Sequence, residues 1–327
     1  MTAALPRISV IVPCYNAERY IGATLHSIYA QQWPDLEVIV VDDGSSDHSV
    51  EVVARLFPQV IVAKQGNSGV AAARNKGISL ASGELIAFVD ADDYWLPGKL
   101  RLQWEALAAH GSARMAYGAW VVWECMDPGP DAAYLAGIAE LAGFRDRWSG
   151  PSGWIYPQLL LDCEVWTSTV LAYRSLYDEI GVFDTALRIG EDYDLWLRAS
   201  RVTEIIRVAQ PTALYRMHGA NITRKAPSEN HQAAVIMRAL ARWGYDSPDG
   251  RRARPVAVEQ ALARTWRNFA TSQLAVGNQG AARRGAVRAI RCEPAHAGGW
   301  KLLLRSIFPA SPESVRAAAS PMIRQLH

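Results

Sequence analysis

Four short runs of β-favouring apolar residues, three of them stopping abruptly at a turn, constrain this chain more than any other feature. Residues 8–12 stop at Pro13, residues 37–41 at Asp42-Asp43-Gly44-Ser45-Ser46-Asp47, and residues 84–89 at Asp90-Ala91-Asp92-Asp93; residues 60–63 are a run of the same kind. Runs this short and this apolar read as strands buried on both faces rather than as helices. Helical patterns lie between them. Residues 17–31 place Ile21, Leu25 and Ile28 on one face, and Gly66-Asn67-Ser68-Gly69 opens an Ala-rich helix ending at Leu80. The alternation predicts an α/β fold, a Rossmann-like and mostly parallel sheet covered by helices on both faces. Such sheets bind ligands beyond the carboxyl ends of their strands, where Pro13, Asp42, Asp43 and Asp90 to Asp93 all fall.

After about Gly111 the alternation fades. Residues 125–165 mix Pro, Gly and aromatics and predict an irregular excursion, and residues 167–173 predict a return to strand. Gly190-Glu191-Asp192-Tyr193-Asp194 starts a helix, and residues 204–208 and 213–217 read as two short strands. From about Ser228 the pattern is helical. The Gly277-Asn278-Gln279-Gly280 turn and Pro294 beyond it read as one and a half tetratricopeptide-type units.

Charge divides the chain in the same way. The formal net charge is +2, but residues 1–224 hold 18 Lys/Arg against 26 Asp/Glu, and residues 225–327 hold 16 against 6. Two domains are therefore expected, 1–224 acidic and 225–327 basic and helical, unless the second half is simply an Arg-rich solvated surface. Cys14, Cys125, Cys163 and Cys292 form no CxxC pair, which excludes a zinc ribbon or disulfide framework and fits a reducing compartment. No apolar run reaches the roughly 18 residues of a membrane span, and residues 1–7 lack an export signal's apolar core, so a cytoplasmic protein is expected.

Asp90-x-Asp92 puts two carboxylates one residue apart on a turn, a way to hold a hard divalent cation through oxygen. Mg²⁺ and Mn²⁺ keep waters and bridge to substrate phosphates, so this turn points to a metal–diphosphate complex. Either carboxylate pair, taken alone, reads equally as a solvated turn or a helix cap.

Five segments taken together are more specific. They are Ser9-Val-Ile-Val-Pro-Cys-Tyr-Asn16, Val38-Ile-Val-Val-Asp-Asp-Gly-Ser-Ser-Asp47, Gly66-Asn-Ser-Gly-Val-Ala-Ala-Ala-Arg-Asn75, Phe88-Val-Asp-Ala-Asp-Asp93 and Gly190-Glu-Asp-Tyr-Asp-Leu-Trp-Leu-Arg198, in this order. Over residues 7–220 the chain resembles the family 2 glycosyltransferases, inverting enzymes of the GT-A fold. The resemblance implies that Pro13, Tyr15 and Asn16 lie against the nucleotide base, and that Asp43 accepts a hydrogen bond from uracil N3–H. It implies that Asn67 and Arg74 line the same pocket, that Asp90 with Ala91 faces the donor nucleotide, and that Asp92 ligates Mn²⁺ or Mg²⁺. Asp93 would support the turn. Asp192 would be the general base and Glu191 a carboxylate orienting it, with Asp194 and Trp196 packing or pairing. His218 is either a structural residue or a further metal ligand, and Arg216 and Arg224 contact phosphate or pair at the surface. Processive members carry Gln-x-x-Arg-Trp; here Ala239 precedes Arg242-Trp243, so a non-processive enzyme is expected.

These implications add up to metal-assisted transfer from a nucleotide diphosphate sugar, a UDP-sugar in the most specific form of the expectation, to a saccharide or lipid-linked saccharide in envelope polysaccharide, glycolipid or glycoprotein assembly. Nucleic acid is not an expected partner. The basic half would touch an anionic membrane surface or make protein and homo-oligomer contacts. The rival readings are a sugar-nucleotide-binding protein without catalysis and a sugar nucleotidyltransferase.

Overall fold

The computed structural model describes residues 5–124, 129–219, 221 and 226–308. Arg224, the division point and a candidate phosphate contact, lies outside the described residues. The first half runs β1 (Ile8–Cys14), α1 (Ile21–Tyr29), β2 (Leu36–Asp42), α2 (Ser49–Leu56), β3 (Ile61–Lys64), α3 (Val70–Leu80), β4 (Leu85–Phe88), β5 (Tyr94–Trp95) and α4 (Lys99–Ala109). Then follow β6 (Met115–Trp123), α5 (Ala132–Ala142), α6 (Tyr156–Leu159), β7 (Leu171–Tyr173), α7 (Arg174–Ile180), α8 (Glu191–Ala199) and β8 (Ile205–Arg216). The C-terminal helices are α9 (His231–Trp243), α10 (Pro255–Ala275), α11 (Gln279–Cys292) and α12 (Ala297–Ile307).

The eight strands form one sheet in the order β3-β2-β1-β4-β7-β6-β8-β5. β3, β2, β1 and β4 are mutually parallel, as the alternating pattern predicts. The sheet is nevertheless mixed, because β7 runs antiparallel to both β4 and β6, and β5 antiparallel to β8. All seven residues of β1 are buried, which is why its run carries no polar alternation. Gly77 of α3 lets that helix lie directly on β1: a Cβ there would stand 2.3 Å from Ile11 Cγ2.

Three expectations for the middle of the chain need correction. Residues 125–165 are not irregular throughout, since α5 forms, with Asp131 accepting a hydrogen bond from Tyr134 N as its N-cap. The two strands expected at 204–208 and 213–217 are one twelve-residue strand, β8 (Ile205–Arg216), whose register against β6 shifts around Ala119 and so interrupts the alternation. Residues 167–169 form a 3-10 turn, and only Leu171–Tyr173 is strand.

The chain divides into two compact units, one of Met1–Tyr156 with Cys163–His218 and the other of Pro157–Asp162 with Gly219–His327. In the second, the sequence turn at Gly277 joins α10 to α11: Gly277 sits at φ +77° and Asn278 caps α11 by accepting from Ala281 N. Gly285 packs tightly on Phe269 and Ala270 of α10. Among the described residues no helix is long and apolar enough to cross a membrane.

Candidate active site

Apart from Arg224, the sequence-derived site residues lie in the first unit, at the carboxyl ends of β1, β2 and β4 or on the elements facing them. At the end of β1, Pro13 is buried in the strand and Tyr15 stands out, 53% exposed. Asn16 adopts φ +50°, a conformation Asn tolerates, and its Oδ1 accepts from Ser46 N at 2.8 Å. That bond ties the first strand end to the turn after β2. Within the turn, buried Asp43 accepts from Gln65 Nε2 and Ser68 N on Oδ1, and from Gly69 N on Oδ2. Three of its roughly four acceptor positions therefore hold residues 65–69 in place, leaving one on Oδ2. Asn67 on that loop is exposed.

The turn after β4 is held from several directions. Thr24 Oγ1 of α1 lies 2.9 Å from Ala91 O and 2.7 Å from Asp93 O. Asp93 is fully buried and accepts from Ser168 Oγ at 2.6 Å and Arg216 N at 3.2 Å. Burial, reinforced by the charges of Asp92 and Asp90, pushes its carboxyl well above the ordinary range. Supporting the turn is thus the position it occupies. Asp92 faces His218, with Oδ2 and Nε2 2.9 Å apart, and the His218 ring stacks on Tyr20 at 4.9 Å. Arg216 is neither a surface pair nor on an open phosphate site: it is fully buried, donates from Nε to Asp92 O, and lies over the rings of Tyr20 and Trp123.

Arg74 occupies a different position from a pocket-lining side chain. It is 3% exposed, with Nη2 2.7 Å from Asp90 Oδ1 and Nη1 2.7 Å from Glu191 Oε1. Burial by itself would lower its pKa, but the carboxylates of Asp90, Glu191 and Asp192 hold it above its ordinary value. Glu191 is pushed up to about 7 by burial and the Asp192 charge, against the opposing pull of Arg74. Burial likewise raises Asp90, with Arg74 opposing.

Asp192, half-exposed in the first turn of α8, accepts from Thr167 Oγ1 at 3.0 Å and from Tyr193 N. Asp194 pairs with Arg198 one turn on, and Trp196 is fully buried, so both are structural. Thr167 and Ser168 escaped the sequence reading because a strand was expected there. Ser168 Oγ meets both Asp90 N and Asp93 Oδ2. The signal available was three consecutive hydroxyl residues, Thr167-Ser168-Thr169, all buried, in an otherwise apolar stretch.

No group of three or more His, Cys, Asp or Glu side chains that could hold a metal occurs among the described residues. The Asp92–His218 pair offers one oxygen and one nitrogen. That donor set suits a cation that completes its shell with waters and diphosphate oxygens rather than with protein.

A model of the glycosyl transferase family 2 domain matches residues 9–135. An uncharacterized glycosyltransferase of Nostoc sp. is 42% identical over 236 residues, 70% of this chain and 68% of its own length. The Escherichia coli UDP-Glc:alpha-D-GlcNAc-diphosphoundecaprenol beta-1,3-glucosyltransferase WfgD is 30% identical over 192 residues, 58% of this chain and 68% of its own. Among solved structures, residues 1–349 of S. aureus TarS in complex with UDP superpose with a TM-score of 0.58 at 19% identity, covering 95% of this chain and 91% of that one. A mannosyltransferase from Pyrobaculum calidifontis with GDP-Man and Mn²⁺ gives 0.50 at 19% identity, covering 96% and 83%. The parallel β3-β2-β1-β4 half-sheet, the carboxylates at its strand ends and the 42% identity to the Nostoc enzyme agree: this chain belongs to glycosyl transferase family 2 and is a glycosyltransferase of the GT-A fold.

Proposed function

We propose that this enzyme transfers one sugar at a time from a UDP-linked donor to a saccharide hydroxyl, inverting the anomeric carbon with Asp192 as base. One observation carries the reading, a continuous hydrogen-bonded frame joining the base to the turn after β4. Asp192 is held by Thr167, whose neighbour Ser168 holds Asp90 N and Asp93; Glu191 beside the base is held by Arg74, which also holds Asp90. A rigid frame of this kind keeps a base at a set distance from the leaving diphosphate, as direct displacement requires. Asp192 takes the proton of the acceptor hydroxyl as its oxygen bonds to the anomeric carbon, while the nucleotide diphosphate departs from the opposite face. Tyr15 offers a ring to the base, and Asp43 offers its remaining acceptor position to the uracil N–H. Asp92 and His218 would hold the divalent cation, Mn²⁺ better than Mg²⁺ given the imidazole, and that cation supplies positive charge against the departing diphosphate.

The UDP bound by TarS supports the nucleotide, and the lipid-linked acceptor in the name of WfgD supports a saccharide on a lipid diphosphate; cell-envelope polysaccharide assembly at the cytoplasmic face of the membrane would use such an acceptor. Docking of the basic C-terminal unit on anionic lipid goes with that acceptor. Trp300, Leu304, Ile307 and Phe308 are exposed along and just after α12, beside Lys301 and Arg305.

The test follows nucleotide release from a panel of UDP- and GDP-sugars, with Mn²⁺ and with EDTA, for the wild type and Asp192→Asn. Release of UDP that EDTA abolishes is expected, with a loss of about 10²–10⁴-fold in Asp192→Asn at unchanged UDP affinity. Undiminished turnover in the variant sinks the base assignment, and turnover in EDTA sinks the roles of Asp92 and His218. Pyrophosphate release from a nucleoside triphosphate would instead mark a nucleotidyltransferase.

A further inference from the structure

The register of β6 against β8 places Trp120, Val122 and Tyr215 on one face of the sheet, because Val122 is paired with Tyr215 and side chains alternate along each strand. The opposite face carries Val121, Trp123 and Leu214, which pack with Ile138 of α5 and Leu96. The first face is different. Trp120, Val122 and Tyr215 are all half-exposed, and so is Trp166, which immediately precedes Thr167. The Trp166 ring lies 5.7 Å from that of Trp120 and 5.0 Å, edge to face, from that of Tyr215. Three large aromatic side chains therefore form one contiguous, half-open surface, and its central member is the chain neighbour of the threonine that holds the base, Asp192.

Packing accounts for one side of Trp166, which rests on the main core. It still leaves Trp120, Trp166 and Tyr215 each partly exposed on one patch. Half-buried aromatic rings match the faces of pyranose rings, whose C–H bonds lie against an aromatic surface while their hydroxyls stay free for hydrogen bonds. Trp166 links this patch to Asp192 through its chain neighbour Thr167, whose Oγ1 donates to Asp192 Oδ2 at 3.0 Å.

We infer that Trp120, Trp166 and Tyr215 form the platform on which the acceptor saccharide stacks, so that this face selects a neutral pyranose as the acceptor's terminal residue. The inference rests on the glycosyl-transfer reading above and names the acceptor side of that same site. The platform is built from β6, β8 and the residue that precedes the 167–169 turn.

The test uses the full chain saturated with UDP and Mn²⁺, probed with the methyl glycosides of glucose, galactose, mannose and N-acetylglucosamine by saturation-transfer NMR. At least one glycoside is expected to receive saturation at its ring C–H protons. Trp120→Ala and Tyr215→Ala should weaken that binding about tenfold each, and Trp120→Phe and Tyr215→Phe should restore most of it. UDP affinity by calorimetry should stay within about twofold throughout, which separates platform loss from misfolding. No glycoside binding to the UDP-loaded wild type overturns the platform, as does binding unchanged in the Trp120→Ala/Tyr215→Ala double variant. A parallel loss of UDP affinity in the alanine variants overturns it too. A chain that binds neither UDP nor GDP overturns the donor reading itself.

Discussion

Arg74 shows how one side chain can set the electrostatics of a site without touching a reactant. It is buried with two carboxylates 2.7 Å away on different elements, Asp90 after β4 and Glu191 at the start of α8. Removing either partner would leave buried charge uncompensated, a situation that costs about 3–5 kcal/mol in comparable pairs. Even with Arg74 present, Glu191 is raised from 4.5 to about 7, with burial the larger cause and the Asp192 charge next. A carboxyl raised on folding favours the protonated native state. Its contribution is complete below about 4.5 and is lost as pH climbs through about 7. Glu191→Gln keeps an oxygen for Arg74 Nη1 but cannot ionise. The melting temperature of the variant relative to wild type should therefore rise between pH 5 and pH 8. A difference that stays flat or falls over that range removes the assignment.

At the level of elements, the stretch from Trp166 to Thr169 does the most to assemble the site. Its backbone leaves β-structure for one 3-10 turn, which lets consecutive side chains point at different partners: Thr167 at Asp192, Ser168 at Asp93 and Asp90 N. Thr169 O accepts from Gln103 Nε2, whose Oε1 accepts in turn from the fully buried Lys99. Burial lowers Lys99 well below its ordinary value, and its ammonium lies 4.2 Å from the Trp95 ring centroid. In a strand, Thr167 and Thr169 would have shared one face and Ser168 the other, and no such junction would form. Thr167→Val keeps the shape and deletes the hydroxyl that orients Asp192. A fall in kcat of about 10–100-fold with UDP affinity unchanged is expected from steady-state kinetics and calorimetry. A variant with wild-type kcat would show that Thr167 does not position the base. The motif residues of β1, β2, β4 and α8 were legible in the sequence because each marks a strand end or a helix start. The 167–169 turn was not, because its partners lie 25 to 78 residues away along the chain.

The two compact units differ in what they carry. The described motif residues of the site fall in the first unit, whereas the unit of α9 to α12 carries none of them. In α12, Gly299, Leu302 and Ser306 are buried, while Trp300, Leu304 and Ile307 lie outward with Phe308 after them. An outward apolar stripe edged by Lys301 and Arg305 is the pattern of a helix lying in a membrane interface. Trp300→Ser with Phe308→Ser should reduce co-sedimentation with phosphatidylglycerol vesicles severalfold and leave neutral phosphatidylcholine vesicles unaffected. Equal binding by wild type and variant would remove α12 as the docking element, and loss of an oligomer instead would make the stripe a protein interface.

Local chemistry was enough to announce the parallel half-sheet, the acidic turns at its ends, the helical C-terminal region and the family. Apolar runs, glycines and carboxylates impose those features on their own neighbourhoods, whatever the rest of the chain does. Other features depended on tertiary contacts: the antiparallel insertion of β7, the merging of residues 205–216 into one strand, the burial of Arg74 and Arg216, and the gathering of Trp120, Trp166 and Tyr215. Each of these arises from pairing or packing between segments distant in the chain. An arginine that looks solvated in a row of letters becomes a buried clamp only when folding brings two carboxylates to it.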